Sequence, residues 1–148
     1  MTKRKILIAN GPNLGILGQR QPGIYGTDGI DAIIDAVRSR VGDAVIVEHL
    51  QTNHEGVLID ALNAKAHDPL YVGVILNAGA WTHTSLAVAD AVAAMDAPVV
   101  EVHISNVHAR EDVRRNSLIA PVCRGVITGL GIHSYVLAAD YLMTLADK

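Results

Sequence analysis

The 148-residue sequence has no phenylalanine, one cysteine and no excess of positive charge. A single cysteine excludes an intramolecular disulfide and favours a reducing, cytoplasmic location. The formal net charge of −3 argues against nucleic acid as the main partner, because a surface that binds nucleic acid is basic. No apolar run approaches the roughly 20 residues that span a bilayer, so no membrane segment is expected.

Half of the residues are hydrophobic, and short apolar runs alternate with amphipathic segments. This alternation predicts a parallel sheet covered by helices on both faces. About five strands in this length favour a flavodoxin-like α/β fold with strand order 2-1-3-4-5, formed by residues 1–148 as one domain. The predicted strands are 5–9, 44–50, 71–76, 98–104 and 125–128, and the predicted helices are 29–41, 54–67, 85–95 and 132–146.

Two local details accompany this assignment. Residues 52–55 have the spacing of a capping box, so Thr52 and Glu55 are expected to open the second helix. Residues 109–116 are predicted to form a short polar helix or loop.

Polar side chains follow three of the predicted strands at the point where each strand ends. These are residues 10–13 after strand 1, residues 77–83 after strand 3 and residues 101–103 at the end of strand 4. In this sheet order, ligands bind beyond the carboxyl ends of the strands where the order reverses, between strands 1 and 3. The three endings therefore predict one polar crevice.

Glu101 and His103 lie two residues apart on a strand, so their side chains point to the same face. A carboxylate and an imidazole are costly in a covered sheet unless they are paired. Either Glu101 orients His103 as a general acid, or the two form a structural ion pair at a strand end. The polar residues His108 and Arg110 follow at once and favour the catalytic interpretation.

The connection at residues 11–26 is long for a strand-to-helix link, and such loops often act as lids. It carries Arg20 and Tyr25. A tyrosine pKa of about 10 makes a poor base, but a guanidinium about 4 Å away stabilises tyrosinate by up to about 4 kcal/mol. That exceeds the cost of lowering the pKa by two units, about 2.7 kcal/mol. The pair is a candidate base, and the alternative is an exposed loop tyrosine with a stacked arginine.

Several other polar residues leave two interpretations open. Arg110 and Arg114 would share one face of a helix and attract an anionic substrate, or they belong to a solvated charged helix. His83 lies at a helix start and serves either the site or helix capping alone. Asp90 is interpreted as a surface residue. Four further histidines, interpreted as structural or solvated, have no evident partner: His49, His54, His67 and His133.

Four separated blocks of this sequence together resemble type II 3-dehydroquinate dehydratase (type II dehydroquinase) over essentially the whole chain. The blocks are residues 10–26, 51–60, 77–85 and 100–110, the last continuing through Arg114 and Ser117. Four blocks at the family's spacing are a specific signal, which no single block would be. The resemblance implies trans elimination of water from 3-dehydroquinate through an enolate, giving 3-dehydroshikimate without metal, cofactor or Schiff base.

The resemblance also implies which residues perform the chemistry. Tyr25 matches the base that removes a proton from C2, and Arg20 matches the residue that lowers its pKa. Asn13 matches the side chain that holds a water against the enolate oxygen. His103 matches the acid that protonates the departing C1 hydroxyl, with Glu101 as its partner.

A second set of matched positions binds the anionic substrate. Asn77 and the backbone amides of Ile104 and Ser105 match the carboxylate site. His83 and Arg114 match contacts to the ring hydroxyls.

Two matched positions concern assembly and support. Asp90 matches a residue that reaches a neighbouring subunit's site, and Arg110 matches a supporting position of the motif. The family is typically a dodecamer, a tetramer of trimers, so a homo-oligomer is expected. The chain departs from the commonest family pattern at four positions outside the catalytic set: Gly15, Gln21, Ala78 and Trp81.

Other functions stay open beside this resemblance. A metal-dependent hydrolase would use as zinc ligands His83, Glu101, His103 and His108, although no His-Glu-x-x-His motif is present. A non-catalytic flavodoxin-like module is suggested by residues 129–131, which resemble a dinucleotide loop without its third glycine. Within the dehydratase family, the same reaction serves aromatic amino acid biosynthesis or quinate breakdown.

Overall fold

The computed structural model describes residues 2–19, 21–25 and 29–146, without the side chains of Pro22 and Tyr25. Within these residues, five parallel strands form one sheet in the order β2-β1-β3-β4-β5. The strands are β1 (Lys5–Asn10), β2 (Ile46–Gln51), β3 (Tyr71–Asn77), β4 (Val99–His103) and β5 (Gly125–Thr128). The predicted flavodoxin-like α/β fold and its strand order are confirmed.

Helices cover both faces of this sheet. They are the single turn α1 (Pro22–Tyr25), α2 (Ile30–Val41), α3 (Glu55–Lys65), α4 (Leu86–Ala93) and α5 (His133–Ala146). Helices α2 and α5 share one buried core, and α3 and α4 share the other. No helix in the described part of the chain is both long and apolar enough to cross a membrane.

The central strands are apolar because they are covered on both sides. In β1, Ile6 and Ile8 face the core under α2 and α5, while Leu7 and Ala9 face the core under α3 and α4. All seven residues of β3 are buried. Rigid, well-packed strands therefore carry the polar residues that follow at their carboxyl ends.

The start of α3 differs from the predicted capping box. The helix begins at Glu55 with His54 as its N-cap, and the Thr52 hydroxyl accepts the His54 N–H at 3.0 Å. Because β2 continues to Gln51, Thr52 lies in the turn that leaves the strand and is two residues too early to cap the helix. The capping-box prediction was therefore wrong.

The segment between β4 and β5 is built from short 3-10 turns, as the prediction of short polar helix or loop allowed. The turns span Val107–Ala109, Asp112–Arg115 and Ala120–Val122. The first two turns lie beside His103 at the carboxyl end of β4. Charged residues of this segment thereby reach the edge where β1, β3 and β4 end.

Candidate active site

A polar cleft lies at the carboxyl ends of β1, β3 and β4, where the sheet order reverses. Most of the predicted site residues that the structure describes line it: Asn13, Asn77, His83, His103, Ile104, Ser105, Arg110 and Arg114. The strand ends approach closely here, since the Gly11 N–H donates to the Asn77 carbonyl at 2.8 Å. A Cβ on Gly11 would lie 2.6 Å from the Ala78 oxygen, so this approach requires glycine.

His103 and Glu101 form a buried pair at the end of β4. Glu101 Oε2 accepts a hydrogen bond from His103 Nε2 at 2.6 Å, and Oε1 accepts one from the Ser117 hydroxyl at 2.8 Å. Glu101 is 1% exposed and His103 is 5% exposed. Both carboxylate oxygens are thus satisfied inside the protein, and Nδ1 is the imidazole nitrogen left to meet a ligand.

Ser117 is a functional-site residue that sequence reasoning left without a role. Its hydroxyl donates to Glu101 and accepts the Ala120 N–H at 3.0 Å. The turn around Ser117 therefore holds the carboxylate that in turn holds His103. A serine 16 residues after Glu101 in a polar loop gives no spacing signal that would have identified it.

Asn13 lies in the loop that follows β1, and its backbone is in the left-handed region with φ of 67°. Its N–H donates to Asn53 Oδ1 at 2.9 Å. Gln51 Nε2 donates to the same oxygen and to the Gly11 carbonyl. Side chains at the end of β2 and just after it therefore hold the backbone at Asn13. Asparagine tolerates this conformation better than most side chains.

Two arginines give the cleft a cationic wall. Arg110 Nη1 donates to the Ser105 hydroxyl at 3.3 Å, and Arg114 Nε donates to Glu111 Oε2 at 2.9 Å. The hydrogen bond from Arg114 is the largest cause that holds the pKa of Glu111 below its ordinary value. Since both arginines line the cleft, this arrangement favours the anion-binding interpretation over a purely solvated charged helix.

His83 faces His103 across the cleft. It ends the 3-10 turn Gly79–His83, and its Nδ1 donates to the Asn116 carbonyl at 2.9 Å. The two imidazole rings are 6.4 Å apart between centroids. The following helix is capped instead by Ser85, whose hydroxyl accepts the Val88 N–H at 2.9 Å. Helix capping, the alternative role considered for His83, is therefore performed by Ser85.

Three predicted site residues are not among the described side chains that line the cleft. Arg20 lies outside the described residues, and so does the side chain of Tyr25, whose backbone belongs to α1. Asp90 is exposed on α4 and does not line the cleft.

The proposed zinc ligands of the hydrolase alternative do not form a cluster. Among the side chains that the structure describes, no group of three or more His, Cys, Asp or Glu is placed to hold a metal ion.

Two histidines interpreted as lacking an evident partner do have one. His49 contacts Asn10, and His67 lies 3.0 Å from the Asp96 carboxylate.

Comparison with known proteins is consistent across sequence and structure. The family model for Dehydroquinase class II matches residues 4–143. The 3-dehydroquinate dehydratase of Exiguobacterium sp. is 54% identical over 140 residues, which is 94% of each chain. The crystal structure of a type II dehydroquinase from Butyrivibrio crossotus superposes with a TM-score of 0.90 at 39% identity, covering 95% of this chain and 98% of that one. A type II dehydroquinase structure from Propionibacterium acnes also gives a TM-score of 0.90 at 39% identity, with 97% and 98% covered.

Proposed function

The chain belongs to the class II dehydroquinase family and is a hydro-lyase of the 3-dehydroquinate dehydratase type, and we propose that its cleft performs the trans elimination. Removing a proton beside a ketone requires a base and a site for negative charge, and expelling hydroxide requires an acid. The buried pair of His103 and Glu101 is the observation that carries the proposal. It places a proton donor, His103, in the wall of the cleft, with the counter-charge of Glu101 within hydrogen-bond distance of it.

The proton path uses residues on two sides of the ring. The Tyr25 phenolate, favoured by the Arg20 guanidinium, takes the C2 proton, and the C–H electron pair forms the enolate. A water held by Asn13 donates to the enolate oxygen. The enolate then collapses into the conjugated double bond while the C1–O bond breaks. His103 gives its proton to that oxygen, which leaves as water. The family resemblance supports Tyr25 and Arg20 in these roles.

Glu101 makes His103 competent for this step. A carboxylate bound to Nε2 stabilises the imidazolium and fixes the ring, so that Nδ1–H faces the leaving hydroxyl. Ser117 keeps the carboxylate in place through the second oxygen. The geometry of these described residues supports His103 as the acid.

The carboxylate of the substrate binds where β3 and β4 end. Asn77 and the backbone amides of Ile104 and Ser105 are the proposed donors. His83 and Arg114 contact the ring hydroxyls, and the arginine adds long-range attraction for the anion. Their shared position in the lining of the cleft supports this assignment.

We extend the proposal to the oligomeric state, the cellular location and the pathway by analogy with the family. The enzyme forms a homo-dodecamer, a tetramer of trimers, in which Asp90 on the exposed face of α4 reaches a neighbouring subunit's site. Arg110 supports the carboxylate site by holding Ser105. The reaction belongs to cytoplasmic aromatic amino acid biosynthesis, and quinate breakdown is the alternative pathway.

An ultraviolet assay tests the function directly. Incubation with 3-dehydroquinate should generate the absorbance of a conjugated enone, at a rate that a chelator leaves unchanged. A protein without this activity, although folded and assembled, would overturn the proposal. Activity abolished by a chelator and restored by zinc would favour the metal-dependent class instead.

A further inference from the structure

A chain of side-chain hydrogen bonds runs behind the cleft and joins three strands to α5. Asn10 Nδ2 lies 3.2 Å from His49 Nε2, and Asn10 Oδ1 accepts the Tyr135 hydroxyl at 2.6 Å. The same Tyr135 oxygen accepts from Asn77 Nδ2 at 2.9 Å, and Asn77 Oδ1 accepts the Gly79 N–H at 3.1 Å. Asn77, near one end of this chain of hydrogen bonds, also lines the cleft.

One backbone group sets the direction of every bond in this chain. The Gly79 N–H can only donate, so the Asn77 oxygen must face it and the Asn77 amide nitrogen must face Tyr135. A phenol has one proton, so Tyr135 accepts from Asn77 and donates to the oxygen of Asn10.

The direction then continues to the other end. With its oxygen on Tyr135, Asn10 turns its amide nitrogen to His49. His49 Nε2 must accept that bond, and the imidazole must be neutral with its proton on Nδ1. A proton on Nε2 would set two donors against each other.

Burial makes any other arrangement costly. Asn10 and Tyr135 are 0% exposed and Asn77 is 4% exposed. A polar group left unpaired at such depth loses its hydration without compensation, so reversing one amide would leave two groups unsatisfied. Burial also raises the pKa of the Tyr135 phenol, which therefore keeps the proton it donates.

The surroundings of His49 agree with a neutral ring. Burial is the largest cause that lowers its pKa, and Arg38 of α2 acts in the same direction. Asp31 at the start of α2 opposes them. The net shift favours the neutral acceptor that the geometry requires.

We propose that Tyr135 is a positioning residue for the dehydration: its hydroxyl holds the Asn77 amide nitrogen in the direction that the Gly79 N–H sets, so that the second Nδ2–H is presented to the substrate carboxylate. This rests on the proposed function, because Asn77 is taken to bind that carboxylate. A reversed amide would present an oxygen to an anion and repel it. Sequence reasoning did not identify Tyr135, which lies 58 residues from Asn77 within an apolar helix.

The first experiment is independent of activity. Nitrogen-15 NMR of the imidazoles in the wild-type protein should show His49 at neutral pH with a protonated Nδ1 and an unprotonated Nε2. A proton on His49 Nε2 would overturn the directional chain. The tautomer is readable even if a variant at position 135 fails to fold.

The second experiment compares Tyr135→Phe with Tyr141→Phe. Tyr141 lies on the same helix, is exposed, and bonds Arg124 away from the cleft. Without the Tyr135 hydroxyl, the Asn77 amide loses one of the two hydrogen bonds that hold it. The weakened contact of Asn77 with the substrate should raise KM of Tyr135→Phe about tenfold, with kcat within about twofold of wild type. Tyr141→Phe should match wild type in both constants.

The outcomes separate this inference from the proposed function. If the wild-type protein does not dehydrate 3-dehydroquinate, the proposed function is wrong. The His49 tautomer still tests the directions of the hydrogen bonds. Active wild-type protein with Tyr135→Phe kinetics equal to those of Tyr141→Phe overturns the positioning role alone. A fall in kcat at unchanged KM would also overturn it, since an oriented binding contact acts on affinity.

Discussion

Glu101 Oε2 lies 2.6 Å from His103 Nε2, and both side chains are buried at the end of β4. This contact links a carboxylate that is 1% exposed to the imidazole ring that lines the cleft. Because the second carboxylate oxygen accepts a hydrogen bond from Ser117, both oxygens of Glu101 are paired inside the protein. The proposed acid chemistry depends on this charge as well as on the hydrogen bond.

Glu101→Gln should separate the two contributions. The amide keeps an oxygen for His103 Nε2 and turns its nitrogen to Ser117, whose hydroxyl can accept, so the shape of the site is preserved. Without the negative charge the imidazolium is less stable, and kcat should fall about 10- to 100-fold with a smaller change in KM. Steady-state kinetics across pH would measure this, and an unchanged kcat would show that the charge is structural.

His103→Ala should remove most of the rate. General acid catalysis contributes about 10²- to 10⁴-fold, and no other described side chain bonded to Glu101 carries an imidazole. His108→Ala is the matched control, because His108 is exposed and does not line the cleft. Turnover numbers for the two variants should differ by that factor. Equal rates would remove His103 as the acid.

Tyr25→Phe should abolish turnover and leave substrate binding largely intact. A phenyl ring has the shape of the phenol and no basic oxygen, so proton removal from C2 stops while the carboxylate and hydroxyl contacts remain. Calorimetric titration with 3-dehydroquinate should give nearly the wild-type Kd, and product formation should be undetectable. Normal turnover would defeat the assignment of the base.

The fold was largely predictable because burial leaves a periodic pattern. Every predicted end of the five strands and four main helices falls within two residues of the observed one. Two of the remaining differences have local causes: β1 and β3 each extend one residue further than predicted, and helix α1 was not predicted. Asn10 and Asn77 still pair in the sheet ladder, although polar residues there suggest a loop. The one-turn helix α1 is too short to show a period.

The site was predictable where its residues are close in sequence. Two-residue spacing on a strand suggested Glu101 and His103, and the structure pairs them. Ser117 was included in a matched block without a role, and Tyr135 was missed, because their partners are distant and their surroundings are ordinary. The Tyr135 hydroxyl meets Asn10 across 125 positions of sequence, and nothing in an apolar helix distinguishes a tyrosine with such a partner from one that only packs.

A last prediction concerns stability at the end of the sheet opposite the cleft. There the Tyr71 hydroxyl donates to Glu48, and Lys5 Nζ lies 3.4 Å from Oε2 of the same carboxylate. The hydrogen bond from Tyr71 is the largest cause that lowers the pKa of Glu48 below 4.5. A carboxyl with a lowered folded pKa adds stability above its unfolded pKa, and this is lost as pH falls through the folded value. Tyr71→Phe should therefore reduce the free energy of unfolding by about 1 kcal/mol at neutral pH, because Glu48 is partly exposed.

The difference between Tyr71→Phe and wild type should shrink on acidification. Below the folded pKa, Glu48 is protonated in both states and the charged hydrogen bond no longer contributes. Urea unfolding at about pH 7 and about pH 3 would measure the two differences. Tyr141→Phe provides the control, since its hydroxyl contacts Arg124 and no carboxylate in the described part of the chain. A loss for Tyr71→Phe that is equal at both pH values would assign its effect to packing and not to the Glu48 charge.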